Sequence, residues 1–305
     1  MKKKSLGKEM MKHWRLYCFL LLPLLYLIVF KYIPIMGMQI AFRDYTPRKG
    51  IWLSNWVGFK YFIKFFKSYY FVRVIKNTVL LSFYTLLVGF PFPIILALTI
   101  NAIKSKRYQG FIQNITYMPH FISAVVMVGI MFQIFNTHSG IFASIWTMFS
   151  NHDVPNVMES ANSFPHMYVW SALWQNCGWN SIIYIAALAS VDPQQHEAAL
   201  LDGATRFQRV IHIDLPAIIP TIVITLILAC GTIMNIGFDK VFLMQNNLNL
   251  STSEVISTYV YKTAFGSGGN FSFAAAIDVF NSVFNFILIV VVNKISKLIT
   301  GGSLW

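Results

Sequence analysis

Polar side chains recur with helical spacing along three apolar stretches of this chain. Asn176, Asn180 and Tyr184 follow one another every four residues. Thr232, Asn235 and Asp239 stand at i, i+3 and i+7, and Asp278, Asn281 and Asn285 repeat that interval. Each set therefore shares one helix face. Trp170, Trp174 and Trp179 cluster on the first stretch. Polar groups in an apolar span cost roughly 1–3 kcal/mol or more when unpaired, so they turn toward protein or water. Two chemistries fit. The amides and rings can line a path for a sugar, with amides on its hydroxyl edges and rings on its C–H faces. Alternatively, the amides join helix to helix and the tryptophans form an interfacial belt. Asp278 is the sharpest case, because a lone acid in a span needs a partner, and a second chain could supply it.

Bond-making chemistry finds no support. The histidines at 13, 120, 138, 152, 166, 196 and 212 are scattered, with no metal-like spacing among them. Cys18, Cys177 and Cys230 lie in apolar segments and read as small buried hydrophobes. No catalytic residue and no metal ligand is assigned. A G-x-x-x-x-G-K-[ST] phosphate loop is missing, since the only Gly-Lys is Gly7-Lys8 without the upstream glycine. The chain cannot bind ATP in that way, so if ATP drives its activity the ATPase must be another chain.

A third stretch stands out for polarity between apolar neighbours, VDPQQHEAALLDGATRFQRVIHIDLPAIIP. Asp192 suits an N-cap and Pro193 the first helical position. The helix through EAALLD stops at Gly203, which tolerates the left-handed C-cap conformation. Thr205 caps a second helix, with Gln208 three residues on, and Leu215-Pro216 ends it. Ala198 and Ala199 let another backbone come close. Glu197 and Asp202 offer charge to a basic partner. Phe207, Val210 and Ile211 are expected to pack on the membrane bundle. His196 beside Glu197 reads as docking surface rather than acid–base machinery.

The elements that carry these residues follow from composition. The chain has 305 residues, 56% hydrophobic and 11% charged, against about 25% charged for a soluble domain. A mean hydropathy of +0.58 indicates a polytopic membrane protein. A spanning helix needs about 20 mostly apolar residues. Six stretches qualify: 16–38, 77–100, 112–135, 167–190, 217–238 and 272–293. Pro91 and Pro93 should kink the second. No small-x-small cleavage site follows the first, which reads as a retained span. The formal charge of +13 fits lipid headgroups; no soluble segment is long enough for nucleic-acid binding.

Lys and Arg set the orientation. The basic N-terminus (1–15), the 101–111 loop, the 192–216 loop with Arg206 and Arg209, and the tail (301–305) fall inside. The 136–166 loop has no Lys or Arg and falls outside. Residues 43–76 should also be outside, yet carry eight basic residues. Lys60, Lys64 and Lys67 stand at i, i+4 and i+7 among aromatic residues, as on a helix lying in the membrane interface. GSGGN at 266–270 reads as a flexible turn before the last span.

The polar hairpin also carries a resemblance. Glu197-Ala198-Ala199, three residues, Gly203, nine residues, then Ile213-x-Leu215-Pro216 resembles the EAA signature of ABC-importer permease subunits. KYIPIMGMQIAFRDYTPRKGIW, IGFDKVFLMQN, SEVISTYVY and the terminal GGSLW resemble the carbohydrate branch, specifically the oligo- or polysaccharide permeases. Where Asp239 stands, the family often carries Glu or Gln, which leaves that residue's role open. The resemblance implies an all-α integral membrane protein with the six-helix type I ABC importer fold over 16–300. It implies a bacterial plasma-membrane location with both termini cytoplasmic. It makes Glu197, Ala198, Ala199, Asp202, Gly203, Ala204 and Arg206 the coupling joint. The implied partners are a second permease subunit, unlike this one, a cytoplasmic ATPase dimer that binds ATP and magnesium, an extracellular solute-binding lipoprotein, membrane lipid and an oligosaccharide. This chain itself would hold no cofactor. The substrate path would draw on Trp174, Asn176, Trp179, Asn180, Tyr184, Asn235, Asp239, Asp278, Asn281 and Asn285. A secondary sugar transporter driven by ions or protons is the alternative. It would show inverted repeats and broken spans at matching positions, and the sequence has no repeat.

Overall fold

A computed structural model describes residues 12–266 and 268–300. Expectations for the N-terminus before residue 12, for Ser267 in the glycine-rich turn and for the 301–305 tail lie outside the described residues. Among the described residues the regular structure is helical, apart from one antiparallel bridge between Arg43 and Trp56.

The chain forms two compact units, the first being Met1–Ser68 with Lys262–Val279. Helix α1 (Trp14–Leu27) is apolar on all sides and buries no residue, as a lipid-facing helix does. It continues through a π turn (Ile28–Tyr32) and ends in a 3-10 stretch (Met36–Phe42). This makes 29 residues of span. The 43–56 loop folds back, and α2 (Lys60–Phe66) follows. This helix has seven residues, so Lys67 falls beyond it. Lys60, Lys64 and Lys67 are all exposed. Lys60 donates to both oxygens of Asp44 at 2.9 Å, and Lys64 lies over the Phe273 ring. Tyr61 and Phe65 are buried beside Phe273. The Tyr61 hydroxyl and the Lys60 ammonium hold the Asp44 carboxyl below its ordinary range.

The second unit holds Tyr69–Tyr261 and Phe280–Trp305. Helix α3 (Tyr70–Gly89) and α4 (Pro91–Asn101) form one span of 32 residues, joined through Phe90, which keeps helical dihedrals beside the prolines. Helix α5 (Lys106–Tyr117) is followed by a 3-10 turn and α6 (Ala124–Ile134). The two arms meet at 97°, so the expected straight span over 112–135 is a sharply bent pair. Ile122 is extended and Ser123 caps α6, its Oγ accepting from Val126 N. Hydropathy is blind to such a cap. Helix α7 (Ile141–Phe149) leads toward α8 (Phe164–Leu188), whose 25 residues give about 37 Å, enough to cross a bilayer. Gly178 lets α8 meet α5, because a Cβ there would come within 2.1 Å of the Thr116 carbonyl oxygen.

Two short helices follow, α9 (Pro193–Leu201) and α10 (Arg206–Arg209). The second does not end at Leu215-Pro216. It runs through a π turn (Val210–Asp214) into α11 (Leu215–Gly231) without a stop. A π turn widens the helix just before Pro216, where the ring would otherwise strike the preceding turn. The chain then unwinds over 232–237. Helices α12 (Phe238–Met244), α13 (Ile256–Phe265) and α14 (Phe271–Thr300) complete the fold. Among the described residues, four helices are long and apolar enough to cross a membrane, or five when the bent pair counts as one. The more polar α8 is a further helix of spanning length.

Candidate coupling hairpin and polar cleft

The α9–α10 hairpin is built by its caps. The Asp192 carboxylate accepts from Gln194 N at 3.0 Å. Gly203 turns the chain at φ +79°, a conformation glycine adopts freely. Thr205 and Gln208 form a reciprocal capping box. Glu197, Ala198, Asp202, Gly203 and Arg206 are exposed, with Ala199 and Ala204 partly covered. Phe207 does not pack on the bundle as periodicity predicts: it is 73% exposed. Leu201 is 90% exposed and Leu200 more than half exposed. Sequence reasoning passed over these leucines. Their signal is an apolar pair on a short charged helix with no apolar face of its own to complete. Ala199, Asp202, Gly203, Ala204 and Gln208 line a dimple of about 270 Å³.

The polar stripes separate into distinct roles. Two adjoining cavities, of about 680 and 290 Å³, share Gly89, Phe90, Asn180 and Ala229 in their walls. Trp179 and Tyr184 line the first, and Tyr168, Thr232 and Asn235 the second. Phe90 lines both cavities, and the unwound 232–237 segment lines the second. Ser82 and Thr85 also line the second cavity, and the buried Ser82 Oγ has no hydrogen-bond partner. Neither had been singled out in the sequence; their i, i+3 spacing in the second span was the available sign.

The remaining path residues make contacts within the fold. Asn176 Oδ1 pairs with His120 Nδ1 at 2.9 Å, and the imidazole stacks on Trp179 at 4.4 Å between centroids. Tyr184 OH meets Thr225 Oγ1 at 2.9 Å. Asn235 Oδ1 accepts from Nδ2 of both Asn281 and Asn285, each at 3.1 Å. Asn285 Oδ1 accepts from the buried Met234 N at 3.1 Å, which pins the unwound segment. Asn281 Oδ1 is buried and unpaired. Trp174 is exposed, and Asp239 stands exposed in the first turn of α12. In the other unit, Asp278 is exposed on α14. Lys240 is buried against Tyr168, with Nζ 3.3 Å from its carbonyl oxygen and over its ring. Burial pushes its ammonium down to about 8. Among the described residues, no three His, Cys, Asp or Glu side chains gather to hold a metal.

Known proteins share this arrangement. Protein LplB of Bacillus subtilis is 42% identical over 282 residues, 92% of this chain and 88% of its own. The polygalacturonan/rhamnogalacturonan transport system permease protein YteP of the same organism is 38% identical, over 97% and 92% of the two chains. A chain from the crystal structure of a bacterial ABC transporter that imports the acidic polysaccharide alginate superposes with a TM-score of 0.88, at 36% identity, over 97% of this chain and all of that one. A second such structure, in complex with a pentasaccharide-bound periplasmic protein, superposes with a TM-score of 0.89. Residues 89–300 match the family of binding-protein-dependent transport system inner membrane components, and the chain belongs to that family.

Proposed function

We propose that this chain is the membrane-spanning half of an ATP-driven importer for oligosaccharides, coupled to a separate cytoplasmic ATPase through the α9–α10 hairpin. The observation that carries the reading is the hairpin itself. It is a capped projection that exposes Leu201, Phe207, Glu197 and Asp202 and continues without a break into α11. Exposed apolar side chains on a short charged hairpin fit a partner's groove. A second permease completes the pore and covers the exposed Asp278. An extracellular binding protein delivers the solute. In the cleft, Trp179 offers a ring face, and Asn180, Asn235 and Ser82 offer hydrogen bonds.

The cargo we favour is an acidic oligosaccharide. Residues 43–76 carry eight cations, of which Lys60 and Arg73 pair with Asp44 and Glu254. The other six, Arg43, Arg48, Lys49, Lys64, Lys67 and Lys76, are left in excess, on the side from which solute would enter. Such a field raises the local concentration of an anionic glycan. The polyuronates named for the relatives fit it. The test is uptake of labelled oligogalacturonides into liposomes holding the complex purified from its host. ATP-dependent uptake that survives ionophores is expected. Uptake abolished by ionophores and indifferent to ATP would instead identify a secondary transporter.

A further inference from the structure

The hairpin has a second attachment to the bundle besides its own backbone. No residue of α9 is buried, so little apolar surface holds this helix in place. Among the described residues, His196 is the one α9 side chain with a hydrogen bond or ion pair to another element. Its Nε2 lies 3.2 Å from Oδ1 of Asp214. Asp214 is only 3% exposed. It closes the π turn through which α10 enters α11. The same oxygen accepts from Nδ2 of Asn101, the last residue of α4, at 3.3 Å. One buried carboxylate thus ties the middle of α9 to the bases of two membrane helices. A cavity of about 760 Å³ adjoins the contact, with Lys104, Lys106, Arg206 and Arg209 in its wall. It leaves α9 room to swing about the Gly203 turn when the contact is broken.

We propose that His196, Asp214 and Asn101 form a latch that carries hairpin motion into α4 and α11. The proposal rests on the coupling reading above. A push on Leu201 has two routes into the bundle. One is the chain through Thr205 to Asp214, and the glycine turn makes it compliant at the α9 end. The other is the latch, which short-circuits that turn. Buried carboxylates are strongly destabilised when their partners are removed, which favours keeping the contact closed. These are positioning residues: they touch neither solute nor nucleotide, and they set how far α9 and α11 move together.

The test uses the complex as purified from its host, in liposomes, with the labelled oligogalacturonides of the uptake assay. The reading is solute imported per ATP hydrolysed. His196→Ala is expected to lower this ratio about tenfold, the scale of a coupling between two sites. The ATPase content and hydrolysis rate of the complex should stay near wild type, while its thermal midpoint should fall as the buried Asp214 carboxylate loses a partner. His196→Gln, whose amide still donates to Asp214, should restore most of the ratio. An unchanged ratio in His196→Ala overturns the latch. So does loss of the ATPase from that variant, which would make His196 part of the docking face. Failure of the coupling reading shows separately, as an ATPase content and ratio that Leu201→Asp leaves untouched.

Discussion

Gly203 does its work through one backbone angle. Its φ of +79° is costly for other residues, yet a Cβ there would meet nothing within 4 Å. The penalty of substitution is therefore conformational, about 1–2 kcal/mol for an ordinary side chain and more for a β-branched one. Gly203→Val should abolish uptake while the protein still reaches the membrane. Gly203→Asn, which tolerates the left-handed region, should retain most of it. If Asn fails as completely as Val, the glycine serves close approach by a partner and not the turn. Asn285 supports a different kind of prediction. It satisfies the N–H of Met234, which is 3% exposed. Asn285→Leu leaves that donor buried and unpaired, at about 1–3 kcal/mol. A lowered thermal midpoint in detergent is expected. Normal stability with lost uptake would make Asn285 a solute contact instead. Lys240 gives a pH dependence. Its folded value, about 8, lies below the ordinary 10.5. Between those values the unfolded chain keeps a proton that the folded protein has lost, so stability rises with pH across that window. The midpoint should climb from pH 8 toward pH 10 in the wild type, and the climb should shrink in Lys240→Met.

Elements were legible where their signals are local. The caps at Asp192 and Thr205 and the turn at Gly203 all form where the residues indicate, because each depends on a few neighbours. Elements decided by tertiary contact were not legible. Lys60 finds Asp44, sixteen residues back, and Phe207 stays exposed although its spacing suits packing. The 97° bend after Phe121 hides inside a continuous apolar run. The candidate site divides in the same way. Glu197, Ala198, Asp202, Gly203 and Arg206 stand exposed on the hairpin. Of the polar stripes, Trp179, Asn180, Tyr184 and Asn235 reach the cleft, while Asn281 and Asn285 clasp Asn235. Spacing gives a face but not its neighbour. Helix contact makes one further prediction. Gly178→Ala would push a methyl into the Thr116 carbonyl, costing about 1–3 kcal/mol, and should reduce the monodisperse fraction extracted in detergent. Gly129→Ala on α6, with nothing within 4 Å, should not. Equal behaviour of the two would mean that α5 and α8 are not in close contact.

At the scale of the molecule, membership of the family and likeness to alginate-importer chains frame the same division of labour. The chain supplies helices, a polar cleft and a hairpin, and its sequence holds no phosphate loop. In the proposed importer the energy source is a bound partner, and the hairpin is the surface that would bind it. Purification of the tagged chain from its native host in gentle detergent, with mass spectrometry of what accompanies it, tests this most directly. Wild-type protein should bring an ATPase and a second membrane subunit in near-equal amounts, and Leu201→Asp should lose the ATPase while keeping the second subunit. A wild-type chain that elutes alone, from cells whose solute uptake persists after ATP is depleted, would contradict the coupling of this hairpin to an ATPase.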